Sequence, residues 1–507
     1  MALRSILFNR KKDILILCGL LFFALFIQMV TLDPERPILT YTAAIGILMA
    51  FWWVTEALPM GVTALLPLVL FPLFGVMSSG ETATAYINNI IFLYIGGFIM
   101  ALAMQKWNLH KRIALLIMIN IGQKPVSILM GFMLGAYFLS MWMSNTATAM
   151  LMVPISISLI SNLREYYDKN TIQQYAKAIF IGLAYACSIG GISTLIGTPP
   201  NLSFARIFHL TYPEAPEISF AQWFIFAFPL GLVILFTALA ILYILYVPKK
   251  NMKKIPKQVL RENYKQLGKV SQEERWVFLL FTSMALLWIF RSPIVIGEFV
   301  IPGWSQIFIQ PQFLHDGTVA VTMAVILFLI PSKSGERLMD WKTAVKLPWD
   351  IVLLFGGGFA LAQAVKTSGL GLWLGQAVTE NSNASPLELV AILTAGMSLL
   401  TEFTSNAATT EMVLPIIAGI ASSAEIHPLY LMVPVTLAAS LAFMLPIATP
   451  PNAIVFGSSP LKIIDMVKAG IFLDTIAVIL IIASLYFWGQ TIFDIDLSHF
   501  PDWARHK

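Results

Sequence analysis

Long apolar runs alternate with short polar stretches along almost the whole chain. Residues 14–31, 40–53, 63–77, 90–104, 223–247, 276–289, 319–330 and 471–488 are nearly free of charge. About 20 apolar residues in a helix cross the hydrocarbon of a bilayer. The longer runs reach that length, and the shorter ones complete a crossing with their polar flanks. The pattern predicts an all-α polytopic membrane protein. Four further apolar stretches, 126–160, 176–207, 387–420 and 429–460, are too long for one simple crossing and carry polar or proline-rich interruptions.

Those interruptions come in pairs. Ser144-Asn145 recurs as Ser405-Asn406, Gly96-Gly97-Phe98 as Gly357-Gly358-Phe359, and Pro154 as Pro415, each 261 positions on. Thr198-Pro199-Pro200-Asn201 recurs as Thr449-Pro450-Pro451-Asn452, 251 positions on, so the second half is ten residues shorter between its motifs. Agreement at one offset over dozens of residues marks a duplicated chain. Counting crossings gives the two copies opposite orientations, as inverted repeats.

Polar or broken backbone at membrane depth survives only where protein or a water-filled cavity surrounds it. Matched breaks in two halves point to a transporter binding site. Stretches 126–160 and 387–420 therefore read as two re-entrant helical hairpins, tipped by Ser144-Asn145-Thr146 and Ser405-Asn406-Ala407. Stretches 176–207 and 429–460 read as discontinuous helices, broken at 197–201 and 448–452, because consecutive prolines remove two backbone donors and stop a helix. Interrupted helices expose N–H groups at one end and carbonyls at the other. The former attract anions; the latter, with Ser, Thr and Asn oxygens, suit a hard cation such as Na⁺. No Lys or Arg lies at the tips, so bound cations would supply the missing positive charge.

Composition agrees with this reading. The 507 residues are 58% hydrophobic and 12% charged, against about 25% charged in soluble domains. Arg4, Arg10, Lys11 and Lys12 precede the first apolar run, which lacks a small-residue cleavage site and reads as a retained helix. The positive-inside rule then puts the N-terminus in the cytoplasm. The same count puts the basic segment 249–275 inside and the C-terminus outside. That segment reads as a solvated cytoplasmic connector, with a lipid or protein site as the lesser reading. Glu56, Glu402 and Glu411 lie in apolar surroundings; Glu56 and Glu402 read as membrane-edge or hairpin-bracing groups. The six His are scattered and Cys18 and Cys187 lie in apolar runs, so neither type forms a metal or disulfide pattern. No nucleophile–base constellation supports an enzyme. Paired Pro-Pro breaks fit alternating access better than a continuous channel.

The motifs Ser140-x-x-x-Ser144-Asn145-Thr146, Gly197-Thr-Pro-Pro-Asn201, Thr401-Glu-x-x-Ser405-Asn406 and 443–456 resemble the divalent anion/sodium symporter family over essentially the whole chain. The resemblance implies about 11 transmembrane helices plus two hairpins, homodimers, and an elevator-type transport domain moving against a scaffold. Scaffold helices would occupy 1–80 and 276–340. The first repeat would occupy 81–247, the connector 248–275, the second repeat's core 341–460, and the last helix and tail 461–507. It implies one sodium site from Ser140, Ser144, Asn145 and Gly197, and a second from Thr401, Thr404, Asn406 and Ala448. The anion would touch Asn145, Thr146, Thr198, Ser405, Asn406, Ala407, Thr449 and Pro450. Ala407 stands where many members carry Thr. The expected activity is inward symport of a small dianion with Na⁺ across a cell inner membrane. C4-dicarboxylates lead as substrates; citrate, sulfate or sodium-independent exchange are alternatives.

Overall fold

The computed structural model describes residues 2–248, 257–296, 299–333, 335–380 and 384–505. Nearly all regular structure is helical, and the expected all-α class holds. The exception among the described residues is a small antiparallel ribbon, Ile294–Ile296 paired with Phe299–Ile301. Eight helices among the described residues are long and apolar enough to cross a membrane, and five shorter apolar helices of 10–17 residues accompany them. Residues 63–77, expected as one run, are divided: Met60–Thr63 precedes a separate helix, Leu66–Leu73.

The stretch 126–160 forms two arms, Pro125–Ser140 and Asn145–Leu163. The stretch 387–420 does the same as Pro386–Thr401 and Asn406–Ser423. A first arm of 16 residues is about 24 Å long, short of the ~30 Å hydrocarbon layer. In both hairpins the serine is the N-cap and the asparagine already opens the second arm. A serine or asparagine at this point accepts from the helix's orphan N–H groups, and Ser144 Oγ accepts from Ala147 N at 3.2 Å.

The broken helices differ from expectation at both edges of each break; the breaks begin at 193 and 440 rather than 197 and 448. The first runs Lys169–Ile192, breaks over 193–198, and resumes as Pro199–Thr211. The second runs Pro428–Ala439, breaks over 440–449, and resumes as Pro450–Gly457. The breaks therefore do not extend to Asn201 and Asn452: the Pro-Pro pairs start the next helices. Proline suits a first turn, where its missing N–H would be unpaired anyway and its φ is already helical. The ten missing residues are accounted for mainly by the leading half-helix, 12 residues in the second copy against 24 in the first.

These pieces pack crosswise. Lys169–Ile192 lies against both arms of the first hairpin and also meets Pro450–Gly457. Pro428–Ala439 lies against both arms of the second hairpin and meets Pro199–Thr211. Each trailing half-helix packs on the other copy's hairpin: Pro199–Thr211 on Asn406–Ser423, and Pro450–Gly457 on Asn145–Leu163. Both leading halves are almost wholly buried. The duplicated glycines serve close helix approach, since a Cβ at Gly96 would run into the backbone of Ala320 and one at Gly357 into that of Ala64.

Ion pairs tie the loop ends. Arg291 binds Asp316 at 2.5 Å and Glu217 at 3.1 Å, and Arg112 binds Glu274 at 3.0 Å. Residues 249–256 of the basic connector lie outside the described residues. From Lys257 onward the connector is docked rather than freely solvated, because helix Gln258–Gln266 buries Leu260. Lys257 Nζ donates to the carbonyl oxygens of Ile119, at 2.5 Å, and Ile121. These carbonyls end helix Leu109–Asn120, where a cation is favoured.

Candidate functional site

Each break is clamped by the asparagine just after the prolines. Asn201 Nδ2 donates to the carbonyls of Gly191 at 3.2 Å, Ile192 at 3.3 Å and Thr194 at 2.7 Å. Asn452 Nδ2 donates to Ala442 O at 3.1 Å and Leu445 O at 3.0 Å. The acceptors ten and seven residues back are the same in both copies, so the 251-residue offset is carried through to single hydrogen bonds. Both asparagines are fully buried, and each keeps a side-chain oxygen that meets no donor among the described residues. A buried orphan acceptor is costly; a cation in the break would satisfy it.

The hairpin tips repeat the same way. Ser140 Oγ donates to Asn145 Oδ1 at 2.5 Å, and Thr401 Oγ1 donates to Asn406 Oδ1 at 2.7 Å. Thr401 also reaches Ala439 O at 2.8 Å, fastening the second hairpin to the end of the leading half-helix. The first tip is fastened to its own break by Thr194 Oγ1 on Met141 O at 2.5 Å. In the second, the Glu402 carboxylate accepts from Met444 N and Leu445 N, both at 2.8 Å. Glu402 is thus a hairpin brace. Gly190 lets the first arm approach, since a Cβ there would strike the Tyr137 carbonyl.

The two tips and two breaks face one cavity of about 700 Å³, within the ~300–1,000 Å³ of small-molecule sites. Ser144, Asn145, Thr146, Gly197, Thr198, Thr404, Ser405, Asn406, Ala407, Ala448, Thr449 and Pro450 all line it. Ser140 and Thr401 do not; both are fully buried behind the tips and reach the cavity through Asn145 and Asn406. Thr404 points its hydroxyl to Leu400 O at 2.8 Å and Thr409 at 2.6 Å, leaving its carbonyl for any ion. Four helices begin at this cavity: Asn145–Leu163, Pro199–Thr211, Asn406–Ser423 and Pro450–Gly457. Their N-terminal N–H groups and dipoles favour a bound anion. The donor set is all oxygen, which suits a hard cation.

Sequence reasoning does not single out the lining residues outside the motifs as ligands. Trp53, Tyr94, Phe98, Phe403 and Ile447 give the cavity apolar walls, and Glu56 and Asp350 give it two carboxylates. No Lys, Arg or His is among the described residues that line it. Asp350 opens helix Trp349–Ser368, and no local pattern marks it as a cavity residue. Glu56 carries a sequence signal, an acid in apolar surroundings; it caps helix Pro37–Thr55 with a left-handed φ of 48°.

The fold and this site define a multi-spanning membrane protein with an internally duplicated, polar-tipped central cavity. The chain belongs to the family described as the sodium:sulfate symporter transmembrane region, whose model matches residues 14–495. It is 41% identical over 468 residues to the sodium-dependent dicarboxylate transporter SdcS of Staphylococcus saprophyticus, covering 90% of this chain and 88% of the relative. SdcS of Staphylococcus aureus strain USA300 is 40% identical over 470 residues, covering 90% of this chain and 87% of the relative. Among solved structures, the Alcanivorax borkumensis YdaH transporter aligns with a TM-score of 0.51 at 12% identity, over 83% of this chain and 88% of that one. Neisseria gonorrhoeae MtrF gives 0.51 at 12%, over 81% and 83%. These last two show likeness of fold alone.

Proposed function

We propose that this protein is a secondary active transporter that carries a small dianion, a C4-dicarboxylate such as succinate, fumarate or malate, in symport with Na⁺. The observation that carries the reading is the cavity's chemistry. Four helix N-termini and the Asn, Ser and Thr groups of both tips converge there, without one basic side chain among the described lining residues. A dianion held only by partial charges and hydrogen bonds needs positive charge from elsewhere. Cations bound beside each tip supply it and couple the two fluxes. The dicarboxylate assignment is supported by the SdcS relatives, which are named sodium-dependent dicarboxylate transporters. Citrate, sulfate and sodium-independent exchange are the competing outcomes of the test.

In this reading one Na⁺ is held by Ser140, Ser144, Asn145 and the Gly197 carbonyl. The other is held by Thr401, Asn406 and carbonyls at Thr404 and Ala448. The anion lies between Asn145, Thr146 and Thr198 on one side and Ser405, Asn406, Ala407, Thr449 and Pro450 on the other. Glu56 and Asp350 face the same space and concentrate cations before the anion enters. The hairpins and broken helices, interlocked crosswise, move as one body against the remaining helices, as two inverted repeats in an elevator. A homodimer with cytoplasmic N-termini and extracytoplasmic C-termini completes the arrangement. Chemistry on the substrate is not part of it, in keeping with relatives that are named transporters.

The test is uptake of labelled succinate into proteoliposomes with and without an inward Na⁺ gradient, competed by fumarate, citrate and sulfate. Sodium-driven accumulation blocked by fumarate supports the reading. Uptake that requires internal dicarboxylate but ignores Na⁺ makes the protein an exchanger. Intact uptake in both Asn145→Ala and Asn406→Ala would falsify the site.

A further inference from the structure

A second cavity, of about 310 Å³, lies toward the far end of the same helix that borders the first. Asp350 in the first turn of Trp349–Ser368 lines the central cavity, whereas Gln363 and Thr367 line the second. Thirteen residues of helix separate Asp350 from Gln363, roughly 20 Å at about 1.5 Å per residue. Helix Pro199–Thr211 is shared likewise: Pro199 lines the central cavity and Arg206 the second.

Arg206 makes no hydrogen bond or ion pair with any described residue, and its Nε is buried. The side-chain amide of Gln363 also has no partner among the described residues. Two uncommitted donor groups therefore face one pocket. Ionisable side chains within a membrane bundle usually pair or face a polar cavity, and the half-buried Arg206 faces this pocket with its buried Nε unpaired, where an incoming anion would stabilise it. Glu81 stands at the same pocket but is engaged elsewhere: its carboxylate accepts from Ser78 N at 2.9 Å and Ser78 Oγ at 2.7 Å.

We propose that this pocket is a second anion site, taking one carboxylate group of a small organic acid. The guanidinium presents parallel N–H donors that match a carboxylate's two oxygens, and the Gln363 amide adds another. The site stands outside the duplicated apparatus. The position repeating Arg206 at the 251 offset is Gly457, and the one matching Gln363 at 261 is Leu102. Its walls come from a trailing half-helix that frames the central cavity, from the helix beside it, and from residues 76–85, which run into helix Ser79–Tyr86. A carboxylate bound there bridges Arg206 on the half-helix and Gln363 on the helix beside it and holds this conformation, so excess substrate slows turnover. That last consequence rests on the transport reading; the binding itself does not.

The experiment is saturation-transfer NMR of succinate on the full-length protein in nanodiscs, in choline buffer without Na⁺. Wild type is expected to show transfer. Arg206→Gln should weaken it about tenfold or more, the scale of one charge-assisted contact. Arg206→Lys should retain part of it and Glu81→Gln should strengthen it; on an Asn145→Ala/Asn406→Ala background, which disables the central cavity whatever its sodium dependence, Arg206→Gln should still weaken the transfer that remains. Equal transfer in Arg206→Gln and wild type overturns the proposal. So does equal loss in Glu81→Gln and Arg206→Gln, which would make the two an ion pair rather than a ligand site. Failure of sodium-driven uptake would count against the transport reading and leave this result standing.

Discussion

The single hydroxyl proton of Thr401 is shared between Asn406 Oδ1 at 2.7 Å and Ala439 O at 2.8 Å. One buried side chain thus ties a hairpin tip to the end of a half-helix. An ion bound at Asn406 would be sensed by both. Thr401→Ala is expected to raise the Na⁺ concentration for half-maximal uptake about tenfold, the equivalent of one hydrogen bond to a charged group. Thr401→Ser should restore most of the wild-type value. Ser140→Ala should act alike in the first copy. Sodium titrations of succinate uptake check this; an unchanged Na⁺ dependence with slower uptake would leave Thr401 only a structural brace.

Asn201 holds three carbonyls of the first break and Asn452 two of the second. Alanine at either position strands buried acceptors, at about 1–3 kcal/mol for each group left unsatisfied. Each amide carries two N–H donors, shared at Asn201 among three carbonyls, so Asn201→Ala and Asn452→Ala should lower the apparent unfolding temperature by similar amounts. Thermal unfolding of the purified variants in detergent reads both shifts directly.

Ala407 lines the central cavity at the second tip, where Thr146 stands in the first. Ala407→Thr restores a hydroxyl to the cavity. The expected outcome is a severalfold lower KM for a dicarboxylate whose free carboxylate faces that tip, with little change in the Na⁺ requirement. Competition between succinate, malate and citrate in wild type and variant shows which anion gains.

His315 Nδ1 lies 3.3 Å from Glu217 Oε1, which also meets Arg291. The hydrogen bond to Glu217 raises the imidazole's pKa above the ordinary histidine value. A raised folded-state pKa contributes stability that is fully present below the unfolded value of about 6.5 and is lost as pH rises through the folded value. Both groups are partly exposed, so screening keeps the effect small. The unfolding temperature of wild type should therefore exceed that of His315→Gln slightly at about pH 5.5, below that unfolded value, with the difference fading in alkaline buffer.

Much of the site is legible in sequence because duplication writes the same residues twice. Ser144-Asn145 and Ser405-Asn406 at one offset mark both tips, and their place at helix starts follows from the N-cap preference of serine and asparagine, a local rule. The expected break limits overreach by about one helical turn, because Pro199-Pro200 and Pro450-Pro451 are first turns rather than interruptions. Either role fits a lone proline pair; which applies depends on whether helix continues behind it. Asp350 escapes sequence reasoning, since a single acid at the start of an apolar helix looks like an ordinary membrane-edge group.

Sequence alone determined what depends on neighbours along the chain: the apolar lengths that require helices, the polar breaks, the repeat and the absence of basic residues from the tips. Tertiary structure decided what depends on contacts between distant segments. Only it brought four helix starts to one cavity, set each trailing half-helix against the other copy's hairpin, and placed Arg206 and Gln363 at one pocket. The physical reason is that helical hydrogen bonding and hydrophobic periodicity act within a few residues. Burial and electrostatic pairing act across space, between groups far apart in the chain.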